Sequence, residues 1–142
     1  MYPEIMIIPM REELTRLGIE ELRNAGDVDK FVKRPGVSMI VVNSVCGCAA
    51  GRMRPAVRRA LENSVKPENL GTVFAGQDRD ATDQARFHFA GHPPSSPSIA
   101  IMQDGKVVHM MHRSDIEHRD AQDIAGELAK VFNKFCGNTV NQ

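Results

Sequence analysis

Neither sign of charge prevails in this 142-residue chain, in which 18 Lys and Arg face 18 Asp and Glu. With no net field there is no general attraction to polyanions, so neither nucleic acid nor a membrane surface is expected as a partner. Long apolar runs are missing too. No stretch nears the roughly 18 apolar residues of a membrane span. The opening "MYPEIMIIPMREEL" lacks the basic start, apolar core and small-residue cleavage site of a secretory signal, and a cytoplasmic location is expected. Cysteine is scarce: three residues make no disulfide framework, and in a reducing compartment they read as catalytic, redox-sensing or metal-binding instead. Repeats, low-complexity tracts and linkers are absent as well. A 42% hydrophobic, 25% charged composition then predicts a globular chain able to bury its own core. One domain over 1–142 is expected, with "GNTVNQ" at 137–142 as a disordered tail.

What is present is a series of well-marked elements. From Glu12 to Phe31, apolar residues recur at helical intervals, interrupted near Gly26. "VSMIVVNSV", 37–45, is apolar almost throughout and reads as a buried strand. Ala49, Met53, Ala56, Val57 and Ala60 then form a helical stripe, in which Pro55 predicts a kink opposite Gly51. "GTVFAG", 71–76, reads as a second strand, followed by a helix over 81–90 with Asp80 as its cap. Asp104-Gly105 joins two strands, Ser98 to Gln103 and Lys106 to Met111, as a hairpin. Asp120 caps a last helix whose stripe is Ile124, Leu128, Val131, Phe132 and Phe135. This order predicts an α/β fold: a mixed central sheet of about four strands with helices on both faces, similar to the thioredoxin arrangement.

The chemistry concentrates in "NSVCGCAAG", 43–51, where a strand hands over to a helix. Cys46 falls at the helix mouth, whose unpaired N–H groups favour a thiolate over a thiol. Cys48, one residue beyond Gly47, falls in the first turn and is suited to attack a mixed disulfide on its neighbour. A disulfide prefers Cα atoms about 5.5–6 Å apart, which few conformations of a one-residue spacer allow. The oxidised pair is therefore expected to be readily reduced, each ~30 mV counting for about 1.4 kcal/mol. Metal binding is the competing reading, since Cys-x-Cys offers two ligands. It lacks companions: no second cysteine pair follows, and His88, His92, His109, His112 and His118 read as surface or strand residues. Cys136, at the edge of the last stripe, reads as packing. Pro97 opens a strand, and the rarity of cis X–Pro bonds favours trans there.

In combination, "VVNSVCGCAAG", "RPA" (54–56), "VFAGQD" (73–78), "PPSSPSIA" (93–100), "DGKVVHMMHR", "DIE" (115–117) and "FNKFC" resemble the bacilliredoxin family, from about Pro9 to Cys136. The resemblance implies a thioredoxin-like fold and thiol–disulfide chemistry with a Cys-Gly-Cys active site and no metal or organic cofactor. Cys46 would attack the mixed disulfide between a client protein and bacillithiol, a low-molecular-weight thiol, and Cys48 would be the resolving thiol. Bacillithiolated proteins and the small thiol would be the partners. Disulfide isomerisation by the same pair is the implied alternative. The resemblance also implies a cis Pro97 facing the cysteines, with the Ser96 backbone offering a strand-like edge to an extended substrate.

Overall fold

The computed structural model describes residues 1–137; the tail expected at 137–142 lies, from 138 onward, outside the described residues. The first helix is α1, Glu4–Thr15, whose buried face is Ile7, Arg11 and Leu14. Here the structure corrects the sequence reading of one interrupted helix to Phe31. The chain turns at Gly18 (φ 89°) and adds a two-residue strand, β1 (Glu20–Glu21). It then enters α2, Ala25–Val32, where the Asn24 side chain accepts the Asp27 N–H at 2.8 Å. Ile19, Leu22, Val28 and Phe31 are all buried, but the first two flank β1 and the last two lie in α2, so burial rather than one helix made the pattern. Gly26 is not the break; it lies in the first turn of α2.

Strand β2 (Val37–Asn43) is buried at every residue, because it is central in the sheet and covered on both sides. It runs parallel to β3 (Asn69–Phe74) and antiparallel to β4 (Ser98–Gln103). Strand β4 pairs with β5 (Lys106–Met111) through the expected hairpin, where Asp104 (φ 55°) and Gly105 (φ 77°) both take the left-handed conformation of a tight turn. The order is β1-β3-β2-β4-β5, five strands rather than about four, the addition being β1 beside β3. A two-residue strand carries no readable alternation, which is why the sequence hides it.

Beyond Cys48 the helix opens with a π-helical turn, Ala49–Met53, before α3, Arg54–Ala60. The Arg54 N–H reaches back to the Ala49 carbonyl, five residues away. The expected kink at Pro55 thus becomes a widened turn, which places the proline in the first turn of α3, where a missing N–H costs little. Helix α4 is Arg79–His88, not 81–90. Asp80 lies inside it rather than capping it, and the preceding Asp78 spends its carboxylate on Arg11 (2.6 Å) and Arg23 (3.2 Å). A short α5 (Arg113–Ile116), unmarked in the sequence, precedes α6 (Ala121–Phe135), whose cap Asp120 accepts the Asp123 N–H at 2.9 Å. On one face α3 and α6 pack over Met39, Val41, Ile99 and Ile101; on the other α2 and α4 cover Ile40, Val42, Ala100 and Met102. The alternation along β2 and β4 sends successive side chains to opposite cores. Among the described residues no helix is long and apolar enough to cross a membrane.

Candidate active site

The sheet delivers three segments to one end. Strand β2 stops at Asn43, and the chain passes through Ser44 and Val45 to Cys46, immediately before the helix. The Cys46 carbonyl accepts the first helical bonds, from the N–H groups of Ala49 and Ala50 at 3.1 Å each. Strand β4 begins at Ser98 opposite Val42, so Ser96 and Pro97 lie at the same end, and the Ser96–Pro97 bond is cis. The base rate for trans is overridden here. Helix α5 supplies the third segment through Arg113.

Cys46, Cys48 and Cys136 are thiols outside any disulfide, each half-buried. The Ser44 hydroxyl lies 3.3 Å from the Cys46 sulfur and donates to it. Arg113, which the sequence reading assigns no role, joins the segments. Its Nη2 lies 3.9 Å from the Cys48 sulfur, Nη1 donates to the Ser96 carbonyl at 3.3 Å, and its backbone N–H donates to Ser95 Oγ at 3.1 Å. Glu117 steadies it through Nε at 2.9 Å. A shallow groove of about 380 Å³ runs past these groups, lined by Tyr2, Ser44, Cys46, Arg86, Ser96 and Arg113 among others. Ser96 reaches this groove, whereas Pro97 is buried beneath it.

These contacts decide the state of the leading sulfur. Burial pushes the Cys46 thiol up, but the Ser44 hydroxyl, the N–H groups of Ala49 and Cys48 and the charge of Arg113 together outweigh it, leaving its pKa below the ordinary thiol value. Cys136 behaves in the opposite way. Burial, helped by Glu68, pushes its thiol up to about 11, as befits a residue packed at the end of α6. A pH series of alkylation follows from this contrast. Cys46 should reach half its maximal rate below the ~8.5 of a free thiol, while Cys136 should stay inert until the pH nears 11. Peptide mapping of the alkylated sites checks the order; a Cys46 midpoint at or above 8.5 would refute the electrostatic account.

Beneath the cysteine turn lies a second missed residue. Arg54, only 3% exposed, stands on the otherwise apolar buried face of α3. Its Nη1 donates to both Asn43 Oδ1 and the Ser44 carbonyl at 2.9 Å, and Nε pairs with Glu13 at 2.8 Å. One guanidinium thereby ties the end of β2, the segment entering Cys46 and α1 together. Arg54 lies outside the predicted stripe, and its place three residues before Val57 on the same helix face was the available signal. The histidines stand elsewhere: His88 on Asp29, His109 on Glu127, both at 2.8 Å, and His92 beside His112 at 3.2 Å. His118 is exposed and lies 3.5 Å from Glu117. Among the described residues no three His, Cys, Asp or Glu side chains converge to hold a metal ion.

Comparison with known proteins agrees with this geometry. The family described as disulphide isomerase matches residues 2–136. A bacilliredoxin of Koribacter versatilis (strain Ellin345) is 59% identical over 140 residues, covering 98% of this chain and 97% of that protein. A bacilliredoxin of Cytophaga hutchinsonii is 51% identical over 135 residues, covering 95% of this chain and all of the relative. Among solved structures, a thioredoxin variant from Halobacterium salinarum NRC-1 superimposes with a TM-score of 0.55 at 13% identity, over 82% of this chain and 89% of that one. The fold is therefore that of thioredoxin, and the chain belongs to the bacilliredoxin family.

Proposed function

We propose that this protein removes bacillithiol from client cysteines, with Cys46 as nucleophile and Cys48 as resolving thiol. Family and fold support the broader statement, a thiol–disulfide oxidoreductase. The observation that carries the finer reading is the Cys46 sulfur itself: half-exposed beside a groove, with its thiolate favoured by Ser44, two backbone N–H groups and Arg113.

In the first step the Cys46 thiolate attacks the bacillithiol sulfur of the mixed disulfide. The Cys46–bacillithiol S–S bond forms as the client S–S bond breaks, and the client leaves as a reduced thiolate. In the second, the Cys48 thiolate attacks Cys46, forming a Cys46–Cys48 disulfide and expelling the bacillithiol thiolate. Two equivalents of a low-molecular-weight thiol then return the pair to the dithiol and leave as their own disulfide. No metal or organic cofactor enters these steps. Arg113, close to Cys48 and to the Ser96 carbonyl, holds the cysteine turn and the Pro97 loop in one arrangement. The Ser96 backbone would receive an extended client segment, and the compartment that suits this chemistry is the reducing cytoplasm.

Cys48→Ala should stop the cycle after the first step. Mass spectrometry of the variant after exposure to a bacillithiolated client should find one bacillithiol adduct, on Cys46. An adduct on Cys136 instead would reject the assignment. The family description favours a second reading, isomerisation of protein disulfides by the same pair. Offering a bacillithiolated client and a scrambled-disulfide client in parallel separates the two, because an isomerase restores the second without net consumption of thiol.

A further inference from the structure

The groove at Cys46 carries a charge pattern that disulfide exchange alone does not require. Two guanidiniums, Arg86 and Arg113, line it, and no carboxylate does. In a chain with equal numbers of acidic and basic residues this imbalance is local. Most buried and half-buried arginines elsewhere meet carboxylates, Arg11 holding Glu4, Glu21 and Asp78, Arg54 holding Glu13 and Arg119 holding Glu127, while Arg52 donates to the Arg119 carbonyl at 3.0 Å. Arg113 has Glu117 on its Nε and keeps its Nη side toward Ser96 and Cys48. Arg86 makes no ion pair among the described residues. Its one side-chain hydrogen bond among them runs from Nη2 to the Ser95 carbonyl at 3.4 Å, and its Nε is buried with no partner among them. A half-buried, uncompensated cation is costly unless a ligand supplies the anion.

We propose that Arg86 and Arg113 form a carboxylate subsite that holds the acid groups of the low-molecular-weight thiol while its sulfur is exchanged at Cys46. The inference rests on the exchange reading above and goes further, since it states which half of the mixed disulfide the enzyme recognises. The attacked sulfur belongs to the small thiol, so its substituent must occupy the groove next to Cys46, where both guanidiniums stand. At about 380 Å³ the groove suits a ligand of small-thiol size rather than a folded domain. A planar guanidinium matches a carboxylate through paired hydrogen bonds. Specificity would then be for acidic thiols as a class, while the client contributes mainly its extended backbone.

The test uses one client peptide carried as three mixed disulfides, with mercaptosuccinate (anionic), 2-mercaptoethanol (neutral) and cysteamine (cationic). Reduction by the wild-type protein should favour the mercaptosuccinate adduct, mainly through KM. Arg86→Met should lower the mercaptosuccinate-to-mercaptoethanol rate ratio roughly tenfold, the scale of one charge-assisted hydrogen bond. Arg86→Lys should restore part of that ratio. Comparing ratios cancels the intrinsic reactivity of the three adducts. A wild-type measurement guards against a variant that fails to fold: free succinate should compete with the mercaptosuccinate adduct, and the preference should shrink with added salt. An unchanged ratio in Arg86→Met, or no competition by succinate, overturns the subsite while the exchange reading stands. Failure of the wild type to reduce any of the three adducts overturns both. Bacillithiol and glutathione adducts run alongside tell the two natural acidic thiols apart.

Discussion

Cys46→Ser should cut turnover of a bacillithiolated client by at least about a thousandfold, the scale seen when a covalent nucleophile is removed. A serine hydroxyl at the same place would receive the same Ser44, backbone and Arg113 contacts, yet it stays protonated near neutrality and cannot form the S–S bond that carries the client's two oxidising equivalents. The sulfur is half-buried and the replacement nearly isosteric, so the variant should melt within a few degrees of the parent. Activity should fall while the fold persists. Turnover kept within tenfold would shift the chemistry to Cys48 or Cys136 and remove the basis of the proposed cycle.

The second large effect belongs to stability. Arg54→Met should lower the melting temperature by roughly 6–15 °C, from about 2–4 kcal/mol of lost interaction. Asn43 Oδ1 and the Ser44 carbonyl both take Nη1 of Arg54 in a buried setting, and methionine leaves both acceptors with one partner fewer. Glu13, which is partly exposed, can return to water and adds less to the loss. Arg54→Lys keeps the charge but offers a single ammonium where the fork reaches three groups, so it should recover only part of the difference. Calorimetry of the three proteins checks the order. A loss under about 2 °C for the methionine variant would mean the segment before Cys46 is held by something other than this guanidinium.

The way these residues came to light separates what a chain declares locally from what it decides by folding. The hairpin at Asp104-Gly105 and the Asp120 cap rest on neighbours within a few positions and stand where the pattern placed them, and the strand read over 37–45 begins at Val37 as expected but ends two residues early, at Asn43. Cys46 and Cys48 were legible for the same reason: a strand-to-helix switch is a local event. Between Glu12 and Phe31 the local signal misled, because Leu14 and Ile19 are buried in one core and Leu22 and Val28 in the other, and together they mimic one helical stripe. The punctuation was present in Gly18 and Asn24, but β1 is too short to show a period. Arg113 could not be read at all. Its contact with Cys48 spans 65 positions, and only the pairing of β4 with β5 brings α5 to that end of the sheet. The cis bond at Pro97 had two opposed indicators, the general rarity of cis and the family likeness, and the second prevailed.

The wide turn at Ala49–Met53 also makes the number of residues between the thiols and the buried guanidinium matter more than their identity. Ala50 and Gly51 point to solvent there, and a side-chain carbon added at Gly51 meets nothing within 4 Å, so substitutions are cheap. Deleting one residue is a different matter: it closes the wide turn to an α turn and sets the Pro55 ring against the carbonyl four residues before it, the clash the wide turn avoids. Ala50 and Gly51 thus tolerate other letters, unlike the buried Ala49 and Met53, whereas the length of the stretch is a quantity the fold cannot trade.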